Sequence, residues 1–294
     1  MPIWDVTYSL TIIAHFKPCA VLGILVRKLG GVTIYHYLIP IMMYALLFTV
    51  GVVIGSFLNG CMSRFPLKKS ITVPRLQCPA CGVNRKFYEC IPIISYLCLK
   101  GKCADCNAPI PKRYVVVEMI SGGLLIALYR TFQLQPLFFM HALFCFCLIV
   151  IAGIDIETKR IPDKITLPGI AAGLILSIFN DEMTLKNATI RMSVGGGLLL
   201  CVAFLGILVY RKESMGGGDV KLAAMVGSFL GVQGIVLSLL AAFIVSAIVG
   251  SILLSIKRIE YIPFGPFIAF GAFFYLFSAN AAWFQTFTSI LPSV

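Results

Sequence analysis

The chain has 294 residues, 59% of them hydrophobic and only 12% charged, with a mean hydropathy of +0.96 and a formal net charge of +12. Soluble globular domains carry roughly a quarter charged residues, and several apolar stretches here approach or exceed the ~20 residues that cross a bilayer. This excludes a pair of soluble domains and predicts an all-α polytopic membrane protein with one small appended domain. The positive charge is also not spread as a nucleic-acid footprint would be. Residues 64–113 hold ten basic residues against two acidic ones, Glu89 and Asp105, so a single loop carries +8 of the net +12.

In chain order, residues 1–35 form an N-terminal extension whose apolar part, 7–26, is interrupted by Lys17-Pro18. It reads as a poor span, an interfacial helix or a leader ahead of the true start. The absence of a basic n-region and of a small-residue cleavage site argues against a signal peptide. Apolar segments follow at 36–62, 114–132, 136–155, 164–180, 192–210, 219–231, 234–256 and 265–285, or about eight transmembrane helices. The basic 64–113 loop belongs on the cytoplasmic side. Counting crossings from it puts Lys159/Arg160, Arg211/Lys212 and Lys257/Arg258 on that same side, while the connections near 133–135 and 232–233 have no basic residue. The connection at 181–191 is mixed. Gly51-x-x-x-Gly55 and Gly227-x-x-x-Gly231 give small faces for close helix packing.

The basic loop contains Cys78-Pro-Ala-Cys81, then twenty-one residues, then Cys103-Ala-Asp-Cys106. Paired C-x₂-C knuckles at such a separation suit a tetrahedral, closed and hence structural Cys₄ zinc site. About fifty residues bury too little surface to hold themselves together, and a metal supplies what is missing. A disulfide pair is the alternative, disfavoured on a reducing cytoplasmic face. Of the other seven cysteines, most lie in apolar runs and read as small hydrophobes. Cys90 and Cys98 lie in the loop without knuckle spacing.

Two carboxylates stand at membrane edges. Asp155 closes the run "LFCFCLIVIAGID" and Asp219 opens "DVKLAAMVGSFLG", 64 residues later yet at the same depth on the same face. Two carboxyls that share a site cannot both ionise cheaply, so such a pair holds one proton. The ionised member can take a proton from water while its partner polarises a peptide carbonyl. Gly216, Gly217 and Gly218 precede Asp219 and would let an extended backbone approach, and Pro162 would end helical structure after Asp155. Bland readings compete: Asp219 as a helix N-cap, Asp155 as a membrane-edge charge beside Lys159, and Glu157, Asp163 and Glu213 as solvated loop charges. A phosphate loop is excluded by spacing, since Leu222 follows Lys221. His15, His36 and His141 form no nucleophile–base motif.

With these residues in place, the chain resembles the type IV prepilin peptidases, bacterial membrane aspartyl proteases of the GxGD type. The resemblance runs from about residue 51 to 275. It rests on "GSFLNGCMSRFP" (55–66), the CPAC/CADC pairs, "IPIISYLCLKGKC" (91–103), "KRYVVVE" (112–118), "DIETKRIPDKITLPG" (155–169), "ESMGGGDVKLAAMVGSFLG" (213–231) and "IPFGPFIAFGAFF" (262–274). It implies Asp155 and Asp219 as the catalytic pair. Gly216, Gly217, Gly218 and Lys221 would form the GxGD loop against which substrate lies, with Cys78, Cys81, Cys103 and Cys106 as metal ligands. It further implies prepilin or pseudopilin substrates of type IV pilus or type II secretion systems, with a basic leader cut off at the cytoplasmic face of the inner membrane. N-methylation of the new terminus with S-adenosylmethionine is implied too, without residues that carry it. The chain departs from the family pattern at Glu89-Cys90 and at Gly60-Cys61-Met62-Ser63.

The expected organisation is therefore an extension (1–35), a first confident span (36–63), a zinc-binding and methyltransferase loop (64–113), an aspartyl protease bundle in the membrane (114–285) and a tail (286–294). The rival readings are a protease of other membrane substrates, a proton-coupled transporter using the aspartates as relays, and a zinc-knuckle scaffold without chemistry.

Overall fold

A computed structural model describes residues 32–66, 81–83, 93–177, 185–211, 216–256 and 262–279. The expectations for residues 1–31, Cys78, Cys90, Lys212, Glu213, Lys257, Arg258 and the 286–294 tail lie outside them. The elements are α1 (Val32–Arg64), α2 (Ile94–Cys98), α3 (Arg113–Phe132), α4 (Pro136–Thr158), α5 (Asp163–Ser177), α6 (Leu185–Tyr210), α7 (Gly217–Ser255) and α8 (Gly265–Ser278). Helix is the only repeating structure among the described residues, as the composition predicts. One isolated antiparallel bridge joins Lys102 to Pro109. Five helices are long and apolar enough to cross a membrane, namely α1 from Leu38, α3, α4, α6 from Thr189 to Leu208, and α7. Each of the eight apolar segments of the sequence is helical over its described core, with α5 and α8 the short helices.

The chain divides into two units, Met1–Leu47 and Phe48–Val294. In the first, the described part is the opening of α1, where Leu38, Ile39, Ile41, Met42 and Leu46 are exposed, as on a lipid-facing helix. In the second, side-chain chemistry fixes where helices begin and end. Pro136 opens α4, at the position where its missing N–H costs nothing. Lys159, in the left-handed region at φ 55°, closes it. The Pro162 carbonyl then accepts from the N–H groups of Ile165 and Thr166 as α5 starts, and Asp163 in its first turn suits the helix dipole.

The two segments 219–231 and 234–256 are one continuous helical assignment, α7, broken at Gly231 (φ 78°, ψ −178°). The break is a reversal. A Cβ on Gly195 of α6 would meet the Ala223 carbonyl oxygen at 2.6 Å and an Ile235 side-chain carbon at 3.1 Å. In a straight helix those two residues stand about 18 Å apart. The first half of α7 is the hub: Gly227 lies against the Arg191 backbone of α6, Gly195 of α6 lies against the Ala223 backbone, and Met225 and Ser228 fill the hollows that Gly169 and Gly173 leave on α5. The second half packs on α8, with the Ser238 backbone against Gly271 and Gly234 against Tyr275. Gly231 is thus a reversal point, not the packing face its G-x-x-x-G spacing suggested; Gly227 does pack as expected. Gly51 and Gly55 also behave as predicted, lying against the backbone of Ser121–Gly122 and Glu118 on α3.

Candidate active site

Asp155 lies in the last turn of α4 and Asp219 in the first turn of α7, which are 4% and 7% exposed. Asp155 does not end its helix, which runs on to Thr158. The two are close enough for the Asp155 charge to act on Asp219, so the packing brings together the carboxylates that the sequence placed at one depth.

Each carboxylate is held by a backbone N–H at the start of a helix. The Gly265 N–H donates to Asp155 Oδ2 at 2.9 Å in a buried hydrogen bond. The Asp219 carboxylate accepts from the N–H of Gly216, while the Asp219 N–H donates to the Gly216 carbonyl at 3.1 Å. Gly216 is therefore the N-cap of α7, with ordinary extended dihedrals (φ −76°, ψ 146°). Asp219 sits three residues inside. It is no N-cap, and its reach back to the cap N–H is the acidic half of a capping box.

The three glycines differ in what surrounds them. A Cβ at Gly217 meets open space; at Gly218 it would stand 2.9 Å from the Ile161 Cβ; at Gly216 the nearest atom is Asp219 Oδ2, 3.5 Å away. Only Gly217 offers open room. Gly218 instead lets Ile161, in the connection after α4, press onto the start of α7.

Lys221 Nζ lies 2.8 Å from both carboxylate oxygens of Asp163, tying the first turn of α5 to that of α7. Arg113 pairs with Glu157 and donates a second hydrogen bond to Ser63 Oγ at 3.1 Å. Asp163 and Glu157 are therefore ion-paired, not the merely solvated charges that the sequence suggested.

The thiols of Cys81, Cys103 and Cys106 lie within 4.8 Å of one another. Tetrahedral zinc with Zn–S bonds of about 2.3 Å sets sulfurs about 3.8 Å apart, so the three fit a shared ion with modest closure. The knuckle is built by local hydrogen bonds. The Cys103 N–H donates to the Ala108 carbonyl, and the Asn107 N–H, at φ 57°, donates back to the Cys103 carbonyl. The eight described cysteines are all free thiols. Buried Glu118 on α3 accepts from the N–H of Ile93 at 2.8 Å, fastening the start of α2 to a membrane helix.

Comparison with known proteins accords with this architecture. Residues 49–132 match the model of the bacterial peptidase A24 N-terminal domain, and residues 142–251 that of the type IV leader peptidase family. A prepilin leader peptidase/N-methyltransferase of Burkholderia pseudomallei is 31% identical over 258 residues, 78% of this chain and 84% of that one. The chain belongs to the type IV leader peptidase family. A relative of the same description from Pseudomonas aeruginosa is 34% identical over 248 residues, covering 75% of this chain and 85% of its own. One from Myxococcus xanthus is 35% identical over 212 residues, 71% of this chain, and the chain spans 62% of that relative's length. No solved structure matches the chain. The two family segments contain all the site residues above except Gly265.

Sequence reasoning quoted Gly265 inside "IPFGPF" and Glu118 inside "KRYVVVE" without giving either a role. Pro266 at a helix start was a legible signal for the first. A lone acid five residues inside a span was the signal for the second.

Proposed function

We propose that this chain is a membrane aspartyl endopeptidase which removes the basic leader from prepilins or pseudopilins and then N-methylates the new terminus. The observation that carries the peptidase reading is the meeting of buried Asp155 and Asp219, each oriented by a backbone N–H. Water placed between them loses a proton to the ionised carboxylate as its oxygen attacks the scissile carbonyl, while the protonated carboxyl donates to the carbonyl oxygen. Collapse of the tetrahedral intermediate expels the amine, which leaves with a proton from the carboxyl that received one. No covalent enzyme intermediate is needed. Gly217 is the place in the glycine loop where a substrate backbone can lie.

The basic pairs next to the helix ends that carry Asp155 and Asp219 support a site facing the cytoplasm from a bacterial inner membrane, by the excess of Lys and Arg on that side. Zinc is the ion that a set of Cys81, Cys103, Cys106 and Cys78 suits best, holding the loop structurally. Methyl transfer draws on an activated methyl donor, S-adenosylmethionine by resemblance to the family. The transporter and scaffold readings leave the meeting of the aspartates or the family's chemistry without use.

The test is incubation of purified protein with a prepilin and S-adenosylmethionine, reading leader loss and added methyl mass separately. Asp155→Asn and Asp219→Asn should each abolish leader loss and leave methylation of an already cleaved substrate in place. Substantial cleavage by either variant defeats the assignment.

A further inference from the structure

From the contact between α8 and α4, we propose that Gly265 is a positioning residue for leader cleavage: its N–H sets the orientation of the Asp155 carboxylate, and its missing side chain makes room for it. This rests on the reading of Asp155 as one of the catalytic pair.

Two separate observations converge on the residue. The Gly265 N–H donates to Asp155 Oδ2 at 2.9 Å, in a bond spanning 110 residues of sequence. A Cβ at Gly265 would stand 2.7 Å from that same oxygen, closer than real contacts allow, and a tight 3.2 Å from the carboxyl carbon. Glycine is thus the one residue that can donate to this carboxylate from this place without displacing it. Gly265 is the first residue of α8, followed by Pro266. The N–H is therefore one of the four at a helix start that no helical carbonyl can take, and it is free to serve an anion. The arrangement repeats the one at Asp219, where the Gly216 N–H at the start of α7 holds the second carboxylate. Two helix starts aim backbone N–H groups at a pair of acids that must present their oxygens to a single water. The interaction is fixed before substrate arrives, because Gly265 is itself buried and Ile268 and Ala269, one turn on, anchor α8 in the core.

The consequence is kinetic. A displaced carboxylate harms the chemical step much more than binding, and an error near 1 Å costs on the order of 10²-fold in rate. Gly265→Ala should lower kcat for leader cleavage at least about 10-fold, leave KM for the prepilin within about 2-fold, and leave methylation of a pre-cleaved substrate at the wild-type rate. Asp155→Asn is run alongside. If it still cleaves, the reading of the site is what fails. If it is inactive while Gly265→Ala cleaves at the wild-type rate, the positioning role is refuted. A parallel fall in kcat and methylation in a Gly265→Ala protein that melts at the wild-type temperature would mean a glycine with no specific tie to cleavage and would also refute it. Should Gly265→Ala fold poorly, the double variant Asp155→Ala/Gly265→Ala decides the matter. Removing the opposing carboxylate relieves the clash, so the double variant should regain the melting temperature of Asp155→Ala. A double variant no more stable than Gly265→Ala overturns the proposal.

Discussion

The reversal in α7 can be tested at one residue. Run straight, its 39 residues would extend about 58 Å, nearly twice the ~30 Å hydrocarbon core. Gly231 breaks it at φ 78°, ψ −178°, a region open essentially to glycine alone, where other residues incur about 1–3 kcal/mol of strain. Sterics add little to this. A Cβ there would find the Arg191 side chain at 3.6 Å, an ordinary contact. The cost of Gly231→Ala should therefore be the backbone term, about 1–3 kcal/mol, against a total stability of typically 5–15 kcal/mol. Gly231→Asn should not rescue it. Asparagine tolerates the left-handed α region with ψ near +45°, which lies far from ψ −178°. Denaturant unfolding in mixed micelles, followed by helical circular dichroism, measures both variants. A Gly231→Ala protein within about 0.5 kcal/mol of wild type, the range of neutral surface substitutions, would refute the reversal at this residue.

Two further outcomes are expected. Lys221 and Asp163 are 41% and 55% exposed in their pair, so Lys221→Met should cost less than about 1 kcal/mol and leave most leader cleavage intact. A 100-fold loss would return Lys221 to the substrate-handling role that its place in the glycine loop suggested. If the thiol cluster holds zinc, the wild type carries it by elemental analysis and the Cys103→Ser/Cys106→Ser double variant should lack it and become protease-sensitive within residues 64–113; full retention of metal would end the zinc proposal.

The membrane class, the helical segments, the common face of Asp155 and Asp219 and the C-x₂-C pairs were all legible in the chain. Each depends on composition or on spacing along one element, and hydropathy at 1.5 Å per residue is a local property. The roles of the glycines were not legible. Gly216, Gly217 and Gly218 look alike as letters, yet one caps α7, one faces open space and one admits Ile161. The partner of Lys221, Asp163, lies 58 residues away and was likewise not legible. The sequence by itself determined which carboxylates stand at the membrane edge. Only the tertiary structure decided how those acids are aimed, because the Gly265 donor, the Ile161 contact and the Gly231 reversal arise from distances through space. Such distances depend on how helices pack, and no pattern along a single helix encodes them.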